Sequence, residues 1–385
     1  LLILSSPNII LSISSFKDVS IFKSFKIASI SSSIMKYYNV DSNYKSLKEL
    51  DDILNKGYRN IVYLIIDGMG FNIMRSTLSD DAFLNEHTLT NVTTVLPSST
   101  VPATAAIHSG LSPLESGWIG WMQYIKEKNC MIEMYSERDY YTRKVIKDTS
   151  YKEDLKYTRI YDLICSKNSD INFHLLFPAF APNGSKTFEE LCGKIEYACN
   201  SEGKNLISAY WDEFDTTMHH FGVGSKEATE VLTKINKNLE KLAKELDDTL
   251  IIITADHGQV NIKEEYLNDY PDIDACLKMP PSIEFRFVTF FIKDGMHEEF
   301  VKSLDKHFNG KYILYTKEEF LNSGLLGLGA KHKRIDDFFG DYVLISTSDL
   351  SFSYTTTGKK DKPMVANHGG ILEDEMLVPV ICIEC

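Results

Sequence analysis

The sequence of 385 residues predicts an α/β fold with a mostly parallel central sheet flanked by helices. Three observations lead to this prediction: short continuous apolar runs, amphipathic segments between them, and acidic residues directly after several runs. Apolar runs without polar alternation are typical of strands buried on both faces, as in parallel sheets. Strands that alternate with amphipathic helices indicate a sheet covered by helices on both sides.

Six apolar runs are the candidate strands: residues 61–66, 173–177, 205–211, 250–254, 342–346 and 377–383. The clearest helix lies over roughly residues 226–247, where Val231, Ile235 and Leu239 recur on one face at helical spacing. Lysine and glutamate fill the opposite face, as expected of a helix surface that faces water. Runs and helices therefore alternate along most of the chain.

Residues 279–330 depart from this alternation. Residues 283–292 and 311–316 predict strands, and residues 298–308 and 317–323 predict helices. These short elements follow the fourth main strand directly. We therefore expect a small inserted α+β lobe at about residues 279–330.

Residues 1–34 are rich in Ile, Leu, Ser and Phe, and serine and lysine interrupt their apolar runs. This pattern predicts an extension outside the folded domain, disordered or non-native, with the folded domain over residues 35–385. A signal peptide or a membrane-surface segment is the alternative, although a secretory signal begins with positive charge and the first lysine here is Lys17. No transmembrane segment is predicted, because no apolar stretch of 18 or more residues follows residue 40.

The net charge of −13 makes a stable complex with nucleic acid unexpected, because an acidic chain repels the phosphate backbone. The seven cysteines are odd in number and scattered. They predict free thiols in a reducing cytoplasm, with secretion as the alternative if residues 1–34 act as a signal.

Acidic residues and histidines follow three of the predicted strands. Asp67 follows the first run, Asp215 follows the third with His219 four residues later, and Asp256 and His257 follow the fourth. Ligands of open α/β sheets bind beyond the carboxyl ends of the strands, where these side chains should meet. A buried strand that ends in adjacent Asp and His is costly unless these groups are paired or bind a metal ion. Histidine and carboxylate are also the ligands that zinc takes when no thiolate is near.

Two further segments carry polar side chains. His368 lies in the sequence Asn-His-Gly-Gly, where the glycines permit a close approach of the backbone. Residues 96–106 are small and hydroxyl-rich, and they include Ser98, Ser99 and Thr100. This segment either caps a helix of small residues or places a hydroxyl nucleophile at a helix N-terminus, where an anionic phosphate is favoured.

Six segments in this order resemble the motifs of the type I phosphodiesterase/nucleotide pyrophosphatase family of the alkaline phosphatase superfamily. They are IIDGMG at 65–70, LPSSTVPAT at 96–104, SGLSPLESGWIGW at 109–121, DTTMH at 215–219, TADHGQ at 254–259 and NHGG at 367–370. The resemblance spans about residue 60 to the C-terminus. It implies an alkaline phosphatase-like catalytic domain within residues 35–385.

The resemblance further implies a centre of two divalent metal ions, usually zinc. Seven residues would be the ligands. Asp67, Thr100, Asp256 and His257 would hold one ion, and Asp215, His219 and His368 would hold the other. Thr100, rather than Ser98 or Ser99, would attack phosphorus and form a covalent phospho-threonine. The implied activity is hydrolysis of phosphodiester or pyrophosphate bonds in a small-molecule phosphate ester, with nucleotides among the candidates.

Other activities remain open. A phosphomonoesterase or a phosphonate hydrolase would use the same two-metal site, and a non-catalytic metal-binding domain is a third hypothesis. The better-known nucleotide pyrophosphatases carry an aromatic residue directly after the nucleophile, where this chain has Val101. Arg286 is a candidate to bind a substrate phosphate. Four aromatic residues are candidates to stack a base: Trp118, Trp121, Tyr124 and Tyr210.

Overall fold

The structure is a computed structural model that describes residues 26–385. The strands of this part are β1 (Asn60–Ile66), β2 (Thr88–Thr93), β3 (Met122–Ile125), β4 (Cys130–Glu133), β5 (Arg138–Asp139), β6 (Ile171–Leu176), β7 (Lys204–Trp211), β8 (Thr249–Thr254), β9 (Val260–Asn261), β10 (Lys263–Tyr266), β11 (Ser282–Ile283), β12 (Phe287–Phe290), β13 (Tyr312–Thr316), β14 (Tyr342–Ser346), β15 (Leu350–Ser353), β16 (Ala366–Asn367) and β17 (Leu377–Glu384).

The helices of the described part are α1 (Ile27–Tyr37), α2 (Lys48–Leu54), α3 (Phe71–Thr77), α4 (Phe83–Glu86), α5 (Thr100–Ser109), α6 (Pro113–Ser116), α7 (Ile160–Lys167), α8 (Phe188–Cys199), α9 (Glu213–Phe221), α10 (Lys226–Glu245), α11 (Pro271–Asp274), α12 (His297–Phe308), α13 (Lys317–Asn322), α14 (Ile335–Phe338) and α15 (Glu373–Met376). None of the helices within residues 26–385 is long and apolar enough to cross a bilayer.

The central sheet has six strands in the order β2-β17-β8-β1-β7-β6. Strands β8, β1, β7 and β6 run parallel, whereas β17 is antiparallel to both β8 and β2. Every residue of β1 and β8 is buried, which is why their sequences are unbroken apolar runs. The predicted α/β fold with a mostly parallel sheet is therefore confirmed.

Helix α10 is the helix expected over roughly residues 226–247. It begins after Ser225, whose side chain caps the helix by accepting a hydrogen bond from the Ala228 amide. Leu232, Ile235 and Leu239 are buried in the main core, whereas most of its lysines and glutamates face water. The apolar stripe therefore fixes which face of α10 packs onto the fold.

A second sheet corrects two of the sequence predictions. Its seven strands are in the order β13-β14-β12-β11-β3-β4-β5, and every pairing in it is antiparallel. The lobe is thus larger than residues 279–330, because it takes β3 to β5 from before that range and β14 from after it. The run 342–346, expected in the central sheet, is β14 of this lobe. That run is continuously apolar because Val343 and Ile345 pack into one apolar cluster and Leu344 packs into another.

Helix α1 corrects the predicted domain boundary. Ile27, Ile30 and Ile34 are fully buried, so residues 27–34 belong to the folded domain and the boundary after residue 34 is wrong. The serines at positions 31 to 33 of this helix are buried too, and their hydroxyls are satisfied: Ser31 Oγ donates to the carbonyl of Ile107 in α5 at 2.7 Å. The rest of the predicted extension, residues 1–25, lies outside the described residues.

Candidate metal centre and nucleophile

The predicted ligands lie at the carboxyl edge of the central sheet. Asp67 follows β1, Asp256 and His257 follow β8, and α9 follows β7 and carries Asp215 and His219. Because β8, β1 and β7 are neighbours that run in the same direction, their ends deliver these side chains to one place. Gly68 makes the approach possible: its φ is +71°, and a Cβ there would lie 2.9 Å from Asp215 Cβ.

The first group comprises Asp67, Asp256 and His257, whose ligand atoms lie within 4.8 Å of one another. His257 Nε2 is 3.3 Å from Asp67 Oδ1 and 3.6 Å from Asp256 Oδ2. Both carboxylate oxygens are buried without a hydrogen-bond partner among residues 26–385. Buried acceptor atoms that converge in this way are costly unless a cation lies between them. The group therefore fits a metal ion.

The second group comprises Asp215, His219 and His368, whose ligand atoms also lie within 4.8 Å of one another. The spacing of four residues puts Asp215 and His219 on one face of α9, and His219 Nε2 lies 3.1 Å from Asp215 Oδ2. The ring of His368 stacks on that of His257 with centroids 3.7 Å apart. The two groups are therefore adjacent, as a two-metal centre requires.

The three histidines share one hydrogen-bonding arrangement. The Nδ1 atoms of His219, His257 and His368 lie 2.8, 3.0 and 3.1 Å from the backbone carbonyls of Ala366, Gly258 and Ser98. Since a carbonyl oxygen can only accept, Nδ1 carries the hydrogen in each ring. In its neutral form each ring then presents the lone pair of Nε2 to the centre, which is the tautomer that a metal ligand needs.

Two polar side chains hold the carboxylates from behind. The Tyr210 hydroxyl donates to Asp67 Oδ2, and the Gln259 amide donates to Asp215 Oδ1. The prediction that Tyr210 could stack a base is wrong, because its ring is buried and its hydroxyl donates to Asp67. This role was invisible in the sequence, because the hydrogen bond joins strands β7 and β1 from distant parts of the chain.

The carboxylates repel one another in this buried setting. Burial, followed by the charges of Asp215 and Asp256, raises the pKa of Asp67 well above its ordinary value. Burial also raises the pKa of Asp256. For Asp215, burial would raise the pKa, but the neighbouring His219 lowers it below the ordinary value. Without metal, the first group therefore tends to hold a proton, a tendency that bound cations would reverse.

Thr100 is the first residue of α5, and its side chain is partly exposed at the centre. Its Oγ1 lies 3.0 Å from Nε2 of His257, so the hydroxyl donates to the ring atom that faces the first group. The hydroxyl is thus beside the candidate metal ligands and at a helix N-terminus, where backbone N–H groups favour an anion.

The rival hydroxyls are engaged elsewhere. Ser98 Oγ donates to the carbonyl of Gly370 at 2.7 Å, and Ser99 Oγ donates to Glu284 at 2.5 Å. Of the three, only the Thr100 hydroxyl bonds to a residue of the candidate metal groups within the described part of the chain. This geometry favours the threonine among the three candidates.

Arg286 does not fit its predicted role in binding a substrate phosphate. Its side chain is 0% exposed. It forms a two-pronged ion pair with Glu375 at 2.7 and 2.9 Å and donates to the carbonyls of Leu350 and Ser348. Glu375 also accepts from the Gly370 amide at 2.8 Å. The prediction is wrong because Arg286 is buried and its guanidinium binds Glu375, which holds α15 against the loop that carries His368.

Among the remaining aromatic candidates, Trp118 and Trp121 are half-buried beside Tyr135, with ring centroids 6.0 and 6.3 Å from it. Tyr135 is 49% exposed although its hydroxyl bonds to Thr104, one turn along α5 from the candidate nucleophile. Tyr124 instead packs against Phe291 in the lobe. An exposed aromatic surface therefore lies near Thr100, and its outermost member, Tyr135, was missed because no motif includes it.

A sequence model of the family described as type I phosphodiesterase/nucleotide pyrophosphatase matches residues 61–371. None of the curated proteins matches the sequence. Murine ectonucleotide pyrophosphatase/phosphodiesterase 5 has a similar structure, with a TM-score of 0.65 and 18% identity over 84% of this chain and 88% of that chain. The structure of an inactive threonine-to-alanine variant of the murine protein, in complex with AMP, has a TM-score of 0.64 and 18% identity over 83% of this chain and 87% of that chain.

A second similar structure is phosphonoacetate hydrolase from Sinorhizobium meliloti in complex with phosphonoformate. Its TM-score is 0.57 at 16% identity, over 85% of this chain and 90% of that chain. At such identities the likeness shows a shared fold.

Proposed function

We infer the reaction of this chain from the premise that it belongs to the type I phosphodiesterase/nucleotide pyrophosphatase family, a group of hydrolases in the alkaline phosphatase superfamily. The proposed reaction is cleavage of a phosphodiester or pyrophosphate bond in a small-molecule substrate through a covalent phospho-threonine. The observation that carries this proposal is the position of Thr100 Oγ1, 3.0 Å from His257 Nε2 beside two adjacent groups of metal-ligand type.

The proposal includes two divalent metal ions. Asp67, Asp256, His257 and Thr100 would hold one ion, and Asp215, His219 and His368 would hold the other. Imidazole and carboxylate ligands without thiolate favour zinc. Three carboxylates and one alkoxide carry four negative charges, which match the four positive charges of two divalent ions. When bound, the ions would lower the pKa of the Thr100 hydroxyl and stabilise negative charge on the phosphoryl group.

The residues of the chain then supply orientation and the nucleophile. The N-terminus of α5 favours the anionic phosphoryl group next to Thr100. After its hydroxyl has lost a proton to solvent, Thr100 Oγ1 attacks phosphorus, and the leaving oxygen departs with its electron pair and takes a proton from water. Water next attacks the phospho-threonine, which releases the phosphoryl group and restores the threonine.

Two substrate classes have support, nucleotides and phosphonates. The AMP complex of the murine relative's variant favours nucleotides, and the exposed ring of Tyr135 offers a surface for a base that Val101 does not provide. The likeness to phosphonoacetate hydrolase favours phosphonate cleavage as the second candidate.

The proposed location is the cytoplasm. The seven cysteines are unpaired, and free thiols are typical of a reducing compartment.

Replacement of the nucleophile tests the proposal. We expect Thr100→Ala to lower turnover of bis-p-nitrophenyl phosphate by on the order of 10³-fold or more, because the neighbouring hydroxyls of Ser98 and Ser99 are engaged in other hydrogen bonds. Metal content and melting temperature should stay close to those of the unaltered protein. Thr187→Ala is a matched control, because Thr187 also stands at a helix N-terminus, where it caps α8, and it belongs to neither candidate metal group.

Unaltered turnover in Thr100→Ala would refute the covalent mechanism. A panel of bis-p-nitrophenyl phosphate, p-nitrophenyl phosphate and phosphonoacetate then distinguishes the activities. A rate on the monoester or the phosphonate far above that on the diester would overturn the diesterase proposal.

A further inference from the structure

Glu284 is a buried acidic residue next to the nucleophile segment, and the mechanism above gives it no role. It follows β11 directly, and it is 2% exposed. One oxygen, Oε1, accepts hydrogen bonds from Ser99 Oγ at 2.5 Å and from the Trp121 amide at 2.6 Å. Neither lysine nor arginine pairs with it anywhere in residues 26–385. Burial of a carboxylate without a cation costs folding free energy, so a residue with a purely structural role would more commonly be a neutral acceptor.

The backbone before Glu284 is strained. Ile283 has a φ of +88°, a conformation that β-branched residues rarely adopt. Gly120, two residues before β3, leaves room for this conformation, because a Cβ on Gly120 would lie 2.7 Å from the Ile283 carbonyl oxygen. This conformation turns the chain so that Glu284 leaves the lobe sheet and reaches the segment before α5.

The hydrogen bond to Glu284 changes what Ser99 does. Ser99 is the N-cap residue of α5, and a serine there usually accepts a bond from an amide of the first helical turn. Here its side chain makes no such bond, and it donates to Glu284 instead. The third helical residue, Pro102, has no N–H to offer. The start of α5 is therefore held from outside, by a residue of the antiparallel lobe.

We propose that Glu284 is a positioning residue for hydrolysis: by fixing Ser99 and the Trp121 backbone, it sets the position of the Thr100 hydroxyl relative to the metal ligands. This inference rests on the proposed role of Thr100. Glu284 acts through Ser99 rather than on the substrate, so its removal should misplace the nucleophile while the ligands stay in place. Misplacement of a reacting group by about 1 Å costs on the order of 10²-fold in rate.

A double-mutant cycle with Ser99 tests the proposal. We expect Glu284→Ala to lower kcat on bis-p-nitrophenyl phosphate by about 10- to 100-fold, with metal content and KM changed by no more than about twofold. Ser99→Ala should lower kcat in the same direction, and the double variant should be no slower than Glu284→Ala alone, because the two residues act as one unit. Glu284→Gln should restore most of kcat, since its amide oxygen can accept both hydrogen bonds.

Several outcomes would overturn the proposal: additive losses in the cycle, a loss that follows metal content, or a Glu284→Gln variant as slow as Glu284→Ala. If Glu284→Ala fails to fold, Ser99→Ala still decides, because a kcat equal to that of the unaltered protein contradicts the proposal. Thr100→Ala is measured alongside. Turnover that survives in Thr100→Ala counts against the threonine nucleophile. If Thr100→Ala loses turnover while the Glu284 and Ser99 variants keep the kcat of the unaltered protein, the result counts against the role of Glu284 alone.

Discussion

At the scale of single residues, the orientation of the candidate ligands depends on neighbours that are not ligands themselves. Tyr210 occupies Asp67 Oδ2, which leaves Oδ1 to face His257, and Gln259 occupies Asp215 Oδ1, which leaves Oδ2 to face His219. Each carboxylate thus turns one oxygen toward the centre. Partners of this kind usually change metal affinity by about 10- to 100-fold when they are removed.

We therefore expect Tyr210→Phe to weaken metal binding at the Asp67 group by about 10- to 100-fold. The ring still fills its buried space, so the loss reports on the hydroxyl. Titration of the metal-free protein with zinc, followed by calorimetry, measures both binding steps. Tyr151→Phe is the matched control, because the buried hydroxyl of Tyr151 has no hydrogen-bond partner among residues 26–385. Equal affinities in Tyr210→Phe and the unaltered protein would count against this role.

The sequence predicted residues of the site where their signal is local. Asp67, Asp215 and Asp256 each stand just past a buried strand, so a short window reveals both the strand and the acid. The role of Arg286 was wrong, and Glu284 was missed, because their partners are remote: Arg286 pairs with Glu375 across 89 residues, and Glu284 bonds to Ser99 across 185. A side chain's contacts at such distances are set by the fold and leave no local pattern.

At the scale of single elements, α1 shows how composition can mislead. Its serines suggested an unfolded extension, yet Ile27, Ile30 and Ile34 recur on one helical face and enter the core. The hydroxyl of Ser32 donates back to the carbonyl of Ala28 at 2.9 Å, so a serine can be buried inside a helix without an unsatisfied polar group. Periodicity was the informative signal, and composition was not.

We expect Ile30→Ala to lower the free energy of unfolding by about 2–5 kcal/mol, because truncation of a fully buried isoleucine removes apolar contacts and leaves a cavity. Unfolding in urea, followed by circular dichroism, measures the loss. Lys48→Ala in the neighbouring helix α2 is the control: Lys48 and Asp52 form an exposed ion pair, so its loss should cost no more than about 1 kcal/mol. Equal stabilities of the two variants would show that α1 contributes little to the core.

At the scale of the whole molecule, two sheets share one site. The central sheet, predicted from the sequence, delivers most of the candidate ligands at its carboxyl edge. The antiparallel lobe, predicted only in part, holds Glu284 against the start of α5. Its strands come from residues 122–139, 282–290, 312–316 and 342–346, and periodicity cannot reveal which distant strands pair. The boundary of the lobe was therefore beyond sequence reasoning.

The candidate aspartate and histidine ligands lie on segments that follow β1, β7, β8 and β16, so bound metal would join parts of the chain that unfolding separates. An ion that binds only the folded state stabilises it by about 4 kcal/mol when its free concentration is 1,000 times its Kd. We expect removal of the ions with a chelator to lower the melting temperature by several degrees, as measured by scanning calorimetry with and without zinc.

This difference should widen as pH rises. In the metal-free protein, burial and the charges of Asp215 and Asp256 raise the pKa of Asp67. Protonation of Asp67 therefore stabilises the metal-free fold at low pH, and this stabilisation is lost as pH rises through the raised pKa. Burial lowers the pKa of His219, but the charge of Asp215 outweighs it and raises that pKa, so His219 acts in the same direction. Metal ions need both groups without their protons, so their contribution grows with pH. Asp67→Asn should flatten the trend, and a gap that narrows with pH would contradict binding of metal by these residues.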